Sequence, residues 1–161
     1  MVNASIAGAA DCAGIVCELL GGTVSNCSVT GTVASASPET GGAAGGIVAT
    51  NKGGIVENCA TDAYVMGIRG VGGIVGYNLN GENGEQGIIR GCHAIGNVFG
   101  EQYHVGGLVG SNLATIENCY ATGEVRKKAY SYNIVRDVGG FAGVNGAGEY
   151  REIDLYPNAG G

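Results

Sequence analysis

Residues 106–125 read GGLVGSNLATIENCYATGEV, and this stretch contains two phrases that recur along the chain. The first phrase is a glycine pair followed by two apolar residues. Its second glycine stands at positions 14, 46, 73, 107 and 140, and Ala13 replaces the first glycine of the earliest copy. Five residues after this glycine, four copies have an asparagine and the first has a leucine: Leu19, Asn51, Asn78, Asn112 and Asn145.

The second phrase is TIENC at residues 115–119, and its counterparts in the three preceding copies also end in a cysteine: Cys27, Cys59, Cys92 and Cys119. Six residues after each cysteine stands a valine: Val33, Val65, Val98 and Val125. Two phrases that recur in the same order are typical of stacked-repeat architectures. We interpret residues 1–161 as a single repeat domain, with repeats near 13–44, 45–71, 72–105, 106–138 and 139–161, and expect it to be a fragment of a longer chain.

Around each cysteine, apolar and polar residues alternate with the period of two that indicates a β-strand. In the fourth copy we expect one set of side chains to face inward: Ile116, Cys119, Ala121 and Val125. A second set should face outward: Tyr120, Thr122 and Glu124. Inward-facing residues of a strand are two positions apart, but Ile116 and Cys119 are three apart. We therefore predict a bulge or corner at Glu117 and Asn118.

A single repeat of short strands cannot bury its apolar side, so successive repeats must stack about 4.8 Å apart. The sequence therefore predicts an all-β fold, a right-handed parallel β-helix or solenoid of about five coils. Equivalent residues should form columns: Ile15/Ile47/Ile74/Leu108/Phe141, Val24/Val56/Ile89/Ile116, the four cysteines and the four valines. Glycine suits corners and close backbone approaches. The recurring asparagine should mark a turn, tolerate left-handed backbone and bond to the asparagine of the next coil.

Composition and charge limit the function classes. The chain has 33 glycines, 2 prolines, 45% hydrophobic and 14% charged residues, and a net charge of -6. An acidic chain lacks the positive field that nucleic acids or anionic membranes require, so we expect neither as a partner. No apolar run approaches the roughly 18 residues of a membrane span, so we expect no direct membrane insertion.

The four repeat cysteines share one position, so we expect a buried column of free thiols. Parallel Cβ vectors about 4.8 Å apart exceed the roughly 3.8 Å that a disulfide prefers. Cys12 and Cys17 lie outside this register, and the sequence leaves open whether they pair or stay free. No zinc-ligand spacing is present, and His93 and His104 occupy unrelated repeat positions. We expect no metal site and no cofactor.

Three segments exceed the minimal coil. Residues 35–44 are small and suit a linker, whereas residues 79–87 carry two glutamates and two asparagines and suit either a solvated loop or a calcium site. The third segment, residues 126–137, interleaves basic and aromatic residues that suit an acidic glycan or a protein partner. The alternative is a plain basic loop on an acidic protein. We predict ligand contacts there from six residues: Arg126, Lys127, Lys128, Tyr130, Tyr132 and Arg136.

No catalytic constellation is visible in the sequence. The four aspartates fall at different repeat positions, so no column concentrates acids as glycan cleavage requires. No nucleophile elbow and no phosphate-binding loop followed by a helix occurs. We therefore expect a protein that is not an enzyme.

The stretch from Gly107 to Val125 resembles the GLUG motif, a repeat of bacterial surface proteins, and the resemblance extends over about residues 13–146. Such repeats occur in adhesin-like and haemagglutinin-like exoproteins and in IgA-specific metallo-endopeptidases, whose zinc-binding His-Glu-x-x-His is absent here. The resemblance implies an extracellular or cell-surface bacterial setting. It favours a non-catalytic adhesin or spacer module that binds a host or neighbour-cell glycan or protein. The alternative is a stalk segment of a large surface peptidase or polysaccharide-degrading enzyme.

Overall fold

The computed structural model describes residues 1–36, 42–128 and 136–146, and over these ranges the chain is built from strands. The β-strands, in chain order, are β1 (Val2–Gly8), β2 (Cys12–Ala13), β3 (Val16–Leu20), β4 (Thr23–Ser25), β5 (Ser28–Ser35), β6 (Ala44–Gly45), β7 (Val48–Lys52), β8 (Ile55–Glu57), β9 (Ala60–Gly72), β10 (Val75–Leu79), β11 (Ile88–Arg90), β12 (His93–Ala94), β13 (Val98–Gly106), β14 (Val109–Asn112), β15 (Thr115–Glu117), β16 (Tyr120–Ala121), β17 (Val125–Lys127), β18 (Arg136–Gly139) and β19 (Ala142–Asn145). None of these ranges contains a helix of the length and apolarity that a membrane span needs.

The strands form three parallel sheets. Sheet 1 has ten strands and follows the order β1-β5-β9-β12-β16, with β2, β6, β13, β17 and β18 attached alongside. Sheet 2 has the order β19-β14-β10-β7-β3, and sheet 3 has the order β15-β11-β8-β4. Because successive repeats supply adjacent parallel strands to the same sheet, the chain is β-helix-like. The predicted all-β class with parallel stacking is confirmed.

The predicted columns are confirmed by the strand register. In sheet 3, Ile89 pairs with Val56 on one side and with Ile116 on the other. In sheet 1, Val65 pairs with both Val33 and Val98. Backbone hydrogen bonds link neighbours of the column that follows the glycine pair: Ile15 to Ile47, Ile47 to Ile74, Ile74 to Leu108 and Leu108 to Phe141. Equivalent repeat positions therefore lie over one another.

These columns supply the core, which the three sheets enclose. Its fully buried members include Ile47, Ile74, Ile89 and Leu108. In the fourth copy, the four side chains predicted to face inward pack against this core: Ile116, Cys119, Ala121 and Val125. Tyr120 is 53% exposed, as its predicted outward orientation requires.

The corners before the cysteines use left-handed backbone. The residue there has a φ of 54° at Asn26, 52° at Asn58, 59° at Gly91 and 52° at Asn118. Asparagine and glycine are the residues that adopt this conformation most readily. The predicted corner at Glu117 and Asn118 is therefore confirmed.

The prediction of left-handed backbone at the other asparagine column is wrong. Asn51, Asn78, Asn112 and Asn145 lie within strands of sheet 2 and pair in register. Their side chains point inward, where Asn51 and Asn78 are completely buried. Their role is to form hydrogen bonds between coils rather than to relieve backbone strain.

The glycine pairs allow neighbouring coils to approach closely. A Cβ atom at Gly73 would overlap the carbonyl oxygen of Gly107 and lie 2.7 Å from Cβ of Ala94. A Cβ atom at Gly46 would likewise overlap the carbonyl oxygen of Gly73, and one at Gly107 would overlap that of Gly140. These three glycines lack a positive φ, so space and not backbone conformation requires glycine here.

The structure adds two features at the N-terminal end. Strand β1 precedes the first assigned repeat, and it pairs along its whole length with β5, from Val2 with Val29 to Gly8 with Ser35. Cys12 pairs with Ala44, which in turn pairs with Val71. Cys12 therefore lies outside the cysteine column, as predicted, and occupies a core position that Ala44 and Val71 hold in the following coils.

Candidate ligand-binding surface

A groove runs across the coils on the outer side of sheet 1, and we call it the sheet 1 groove. Its cavity has a volume of about 280 Å³. The walls are mainly apolar, with one acid and one base at the rim: Ala34, Ser35, Ala36, Met66, Gly67, Ile68, Phe99, Glu101 and Lys128. Residues from four successive coils therefore build a single concave surface.

The strand register explains why these residues come together. Met66 pairs with Ala34 on one side and with Phe99 on the other, so their side chains form one wall. The adjoining column contains Gly67 paired with Gly100. A Cβ atom at Gly67 would lie 2.9 Å from Cβ of Ala44, and one at Gly100 would overlap Val105. Glycine is needed there because the strand passes so close to the core.

The basic end of the groove contains three of the six predicted contact residues. Arg126 continues the column of Met66 and Phe99, and Lys127 continues the glycine column. Lys128 lines the groove itself, and its backbone N–H donates to the carbonyl oxygen of Gly100 at 3.0 Å. Apolar and cationic surfaces are therefore continuous along the stack.

Two of these cations have acidic neighbours. Lys128 Nζ lies 3.0 Å from Glu101 Oε2, and Arg126 Nε lies 2.7 Å from Glu124 Oε1. The pKa of Arg126 is raised by its hydrogen bond to Glu124. Lys127 is exposed. The cationic end is therefore only partly neutralised.

The other three predicted contact residues are described in part or not at all. Tyr130 and Tyr132 lie outside the described residues. Arg136 begins strand β18 and pairs with Tyr103, but its side chain also lies outside the description. Their contribution to ligand contact stays a prediction.

Sequence reasoning missed the apolar wall and an aromatic pair beside it. The rings of His93 and Tyr120 stack with centroids 5.0 Å apart and planes 8° from parallel. Tyr64 is 41% exposed on β9 of the same sheet, and Ile95, directly after β12, is 47% exposed. The period-two alternation could have indicated this surface, because it places Met66, His93 and Phe99 at outward-facing positions.

The four repeat cysteines form the predicted column of free thiols, which we call the thiol ladder. Cys59 and Cys92 are completely buried, whereas Cys27 and Cys119 are partly exposed near the two ends. The backbone N–H of Cys59 donates to Sγ of Cys92 at 3.4 Å, and that of Cys92 donates to Sγ of Cys119 at 3.3 Å. Cys12 and Cys17 are also free.

Hydrogen bonding along the ladder changes the acidity of its thiols. The hydrogen bond with Cys92 lowers the pKa of Cys59 to about 7, and the pKa of Cys119 falls to about 7 for the same reason. The pKa of Cys92 is raised by these same contacts, first with Cys119 and then with Cys59. Burial raises the pKa of Cys27.

The loop at residues 79–87 is closed by its own hydrogen bonds. The backbone N–H of Gly81 donates to the carbonyl oxygen of Glu85 at 2.7 Å. The Glu85 carboxylate accepts hydrogen bonds from the backbone and side chain of Asn83. Bonds from its own backbone N–H and then from Asn83 lower the pKa of Glu85. The calcium alternative for this loop stays untested.

The stacked parallel strands and the groove across them define a β-helix-like repeat protein. The family model of the GLUG motif matches residues 67–98 and 101–126, which include most of the third and fourth copies of the repeat. Part of the chain therefore consists of GLUG repeats. No curated protein and no solved structure matches it.

Proposed function

We propose that this chain is a non-catalytic repeat module of a secreted or cell-surface bacterial protein, where it acts as an adhesive spacer. In this proposal the stack is a right-handed solenoid, the hand that nearly all crossovers between parallel strands of one sheet adopt. Five coils about 4.8 Å apart extend roughly 20–25 Å. The module would hold neighbouring parts of a longer chain apart and present sheet 1 to a partner.

The internal ladders support the spacer role. Asn51, Asn78, Asn112 and Asn145 are joined from coil to coil by amide hydrogen bonds of 2.7 to 2.8 Å. Each such bond links side chains from repeats that are distant in sequence, so the coils resist separation. A stiff stack is suited to extending a surface protein.

The adhesive role rests on one observation: Lys128 lines the same cavity as Met66 and Phe99. Methionine adapts its shape to apolar side chains, which favours a protein partner over a glycan. The adjacent cations Arg126 and Lys127 favour acidic groups on that partner. The ligand we propose is an extended protein segment in which an apolar side chain is followed by carboxylates.

The side chains that line the groove form a binding surface, and their arrangement does not suggest a chemical reaction. Its two ionic side chains, Glu101 and Lys128, bond to each other, and the remaining lining is apolar or carries only a serine hydroxyl. Binding therefore needs no bond making or breaking, and we propose that the module is not an enzyme.

A labelled synthetic peptide with one phenylalanine followed by a run of glutamates is the probe for the ligand proposal. We expect saturable binding by fluorescence anisotropy, weaker at high salt because exposed charges are screened. Phe99→Ala and Lys127→Glu should each weaken binding about tenfold, near 1.4 kcal/mol. Lys52→Glu is the matched control, because Lys52 lies on sheet 2 beside Glu18.

Two outcomes would count against the proposed ligand. Equal affinity in all variants would mean that the groove is not the contact surface. Binding of an acidic polysaccharide in place of the peptide would mean that the partner is a glycan. The proposed location is tested separately by treating intact cells with protease, which should release peptides of this chain.

A further inference from the structure

The thiol ladder brings metal-ligating atoms together without an obvious structural need for sulfur. Cys92 is buried, and its Sγ contacts the carbonyl oxygens of Arg90 at 3.3 Å and Val56 at 3.5 Å. Its backbone N–H donates to Sγ of Cys119 at 3.3 Å. The two thiols therefore lie at equivalent positions of neighbouring coils, and none of the four ladder cysteines is used in a disulfide.

The spacing of the ladder selects one coordination geometry. Over the described residues, His, Cys, Asp and Glu nowhere form a group of three or more that could hold a metal ion, so a tetrahedral zinc site lacks ligands there. Cys92 and Cys119 stand just before the paired strands β12 and β16. Thiolates on coils about 4.8 Å apart match a linear arrangement with two metal–sulfur bonds of about 2.3 Å. Linear two-coordination by soft thiolates is the preference of monovalent d¹⁰ cations.

Among the residues that the structure describes, the end of the ladder borders a cavity that an ion could enter. Cys119 lines a cavity of about 720 Å³ at the C-terminal end of the described stack, together with Ile116, Asn118 and Phe141. The sulfurs of Cys59 and Cys92 are enclosed in the core. An ion that enters this cavity reaches Cys119 first and Cys92 next.

We propose that Cys92 and Cys119 form a two-coordinate binding site for a soft monovalent d¹⁰ cation such as Ag⁺ or Cu⁺. Both S–H bonds break, each sulfur donates an electron pair to the cation, and two protons pass to solvent. No oxidation or reduction takes place. The proposal is independent of the peptide-binding surface, which lies on the outer side of sheet 1.

Silver ion is the probe, because it is stable in air and remains monovalent. The background protein carries Cys12→Ser, which leaves the ladder and the exposed Cys17. We expect saturable Ag⁺ binding by calorimetry in chloride-free buffer, with proton release that is revealed by buffers of different ionisation enthalpy. X-ray absorption should show silver bonded to two sulfur atoms in a linear arrangement.

Cysteine variants test whether silver binds to the thiol ladder or to a thiol outside it. Cys119→Ala should remove the binding event while the thermal transition is kept, since Cys119 is only partly buried. Cys17→Ala is the control and should leave the event unchanged, because Cys17 is exposed and outside the ladder. Unchanged binding in Cys119→Ala, loss of binding in Cys17→Ala, or silver uptake accompanied by loss of the β circular-dichroism signal would overturn the proposal.

Discussion

The side-chain amide of Asn78 donates a hydrogen bond of 2.7 Å to Oδ1 of Asn112, one coil further along the stack. Its own Oδ1 accepts a bond of 2.8 Å from Asn51 on the preceding coil. Asn78 is completely buried, so no solvent competes for these bonds. Asn78 therefore links three successive coils of sheet 2.

Replacing Asn78 with alanine should reduce the free energy of unfolding by about 2–3 kcal/mol, because buried amide groups on both neighbouring coils lose a partner. Asn83→Ala is the control: Asn83 lies in an exposed loop, and its loss should cost less than about 0.5 kcal/mol. Urea unfolding followed by circular dichroism measures both. Equal stability of the two variants would show that the ladder contributes little.

Gly73→Ala should cost at least about 3 kcal/mol or prevent folding, because the added methyl group would overlap the backbone of Gly107. Gly140→Ala tests the same repeat position where, among the described residues, an added Cβ meets nothing within 4 Å. Thermal melting of both variants checks this. A similar loss in both would mean that glycine is required for its backbone and not for space.

Asn58→Ala should cost about 1–2 kcal/mol, because alanine is strained at the φ of 52° that this corner requires. Asn58→Gly should be nearly neutral, since Gly91 holds the equivalent corner at 59°. The comparison separates backbone strain from side-chain contacts. If glycine proved as damaging as alanine, the asparagine side chain would be the important element.

The thiol of Cys119 should react with iodoacetamide along a pH profile with its midpoint near 7, as its lowered pKa requires. Ordinary thiols have a midpoint near 8.5. Because the hydrogen bond with Cys92 is the main cause, Cys92→Ala should move the Cys119 midpoint upward. Mass spectrometry of alkylated peptides reports Cys119 separately from the other cysteines. An unchanged midpoint in Cys92→Ala would contradict this account.

Strand β1 has an unpaired edge along Val2–Gly8 within the described residues, and such edges pair readily with other strands. We expect end-to-end self-association that increases with protein concentration in light scattering. Ser5→Lys places a charge on the exposed face of β1 and should reduce this association. A monodisperse monomer at every concentration would show that the ends of the stack are capped.

The sequence by itself determined which residues share a column. Repeats that follow the same backbone path place equivalent positions in register, so spacing alone identified the partners of Cys59, Val65 and Ile74. The inward and outward sides of the fourth copy followed from period-two alternation. These properties are local and repeat in every coil, which is why they could be predicted.

Only the tertiary structure decided what neighbouring columns make together. The sheet 1 groove depends on how closely Gly67 and Gly100 approach the core and on side chains of different length at Met66 and Phe99, none of which the repeat specifies. The placement of Cys12 in the core and of β1 beside β5 also required coordinates, because both depart from the repeated phrases. Packing between non-identical residues is a property of the assembled stack, and a periodic pattern does not contain it.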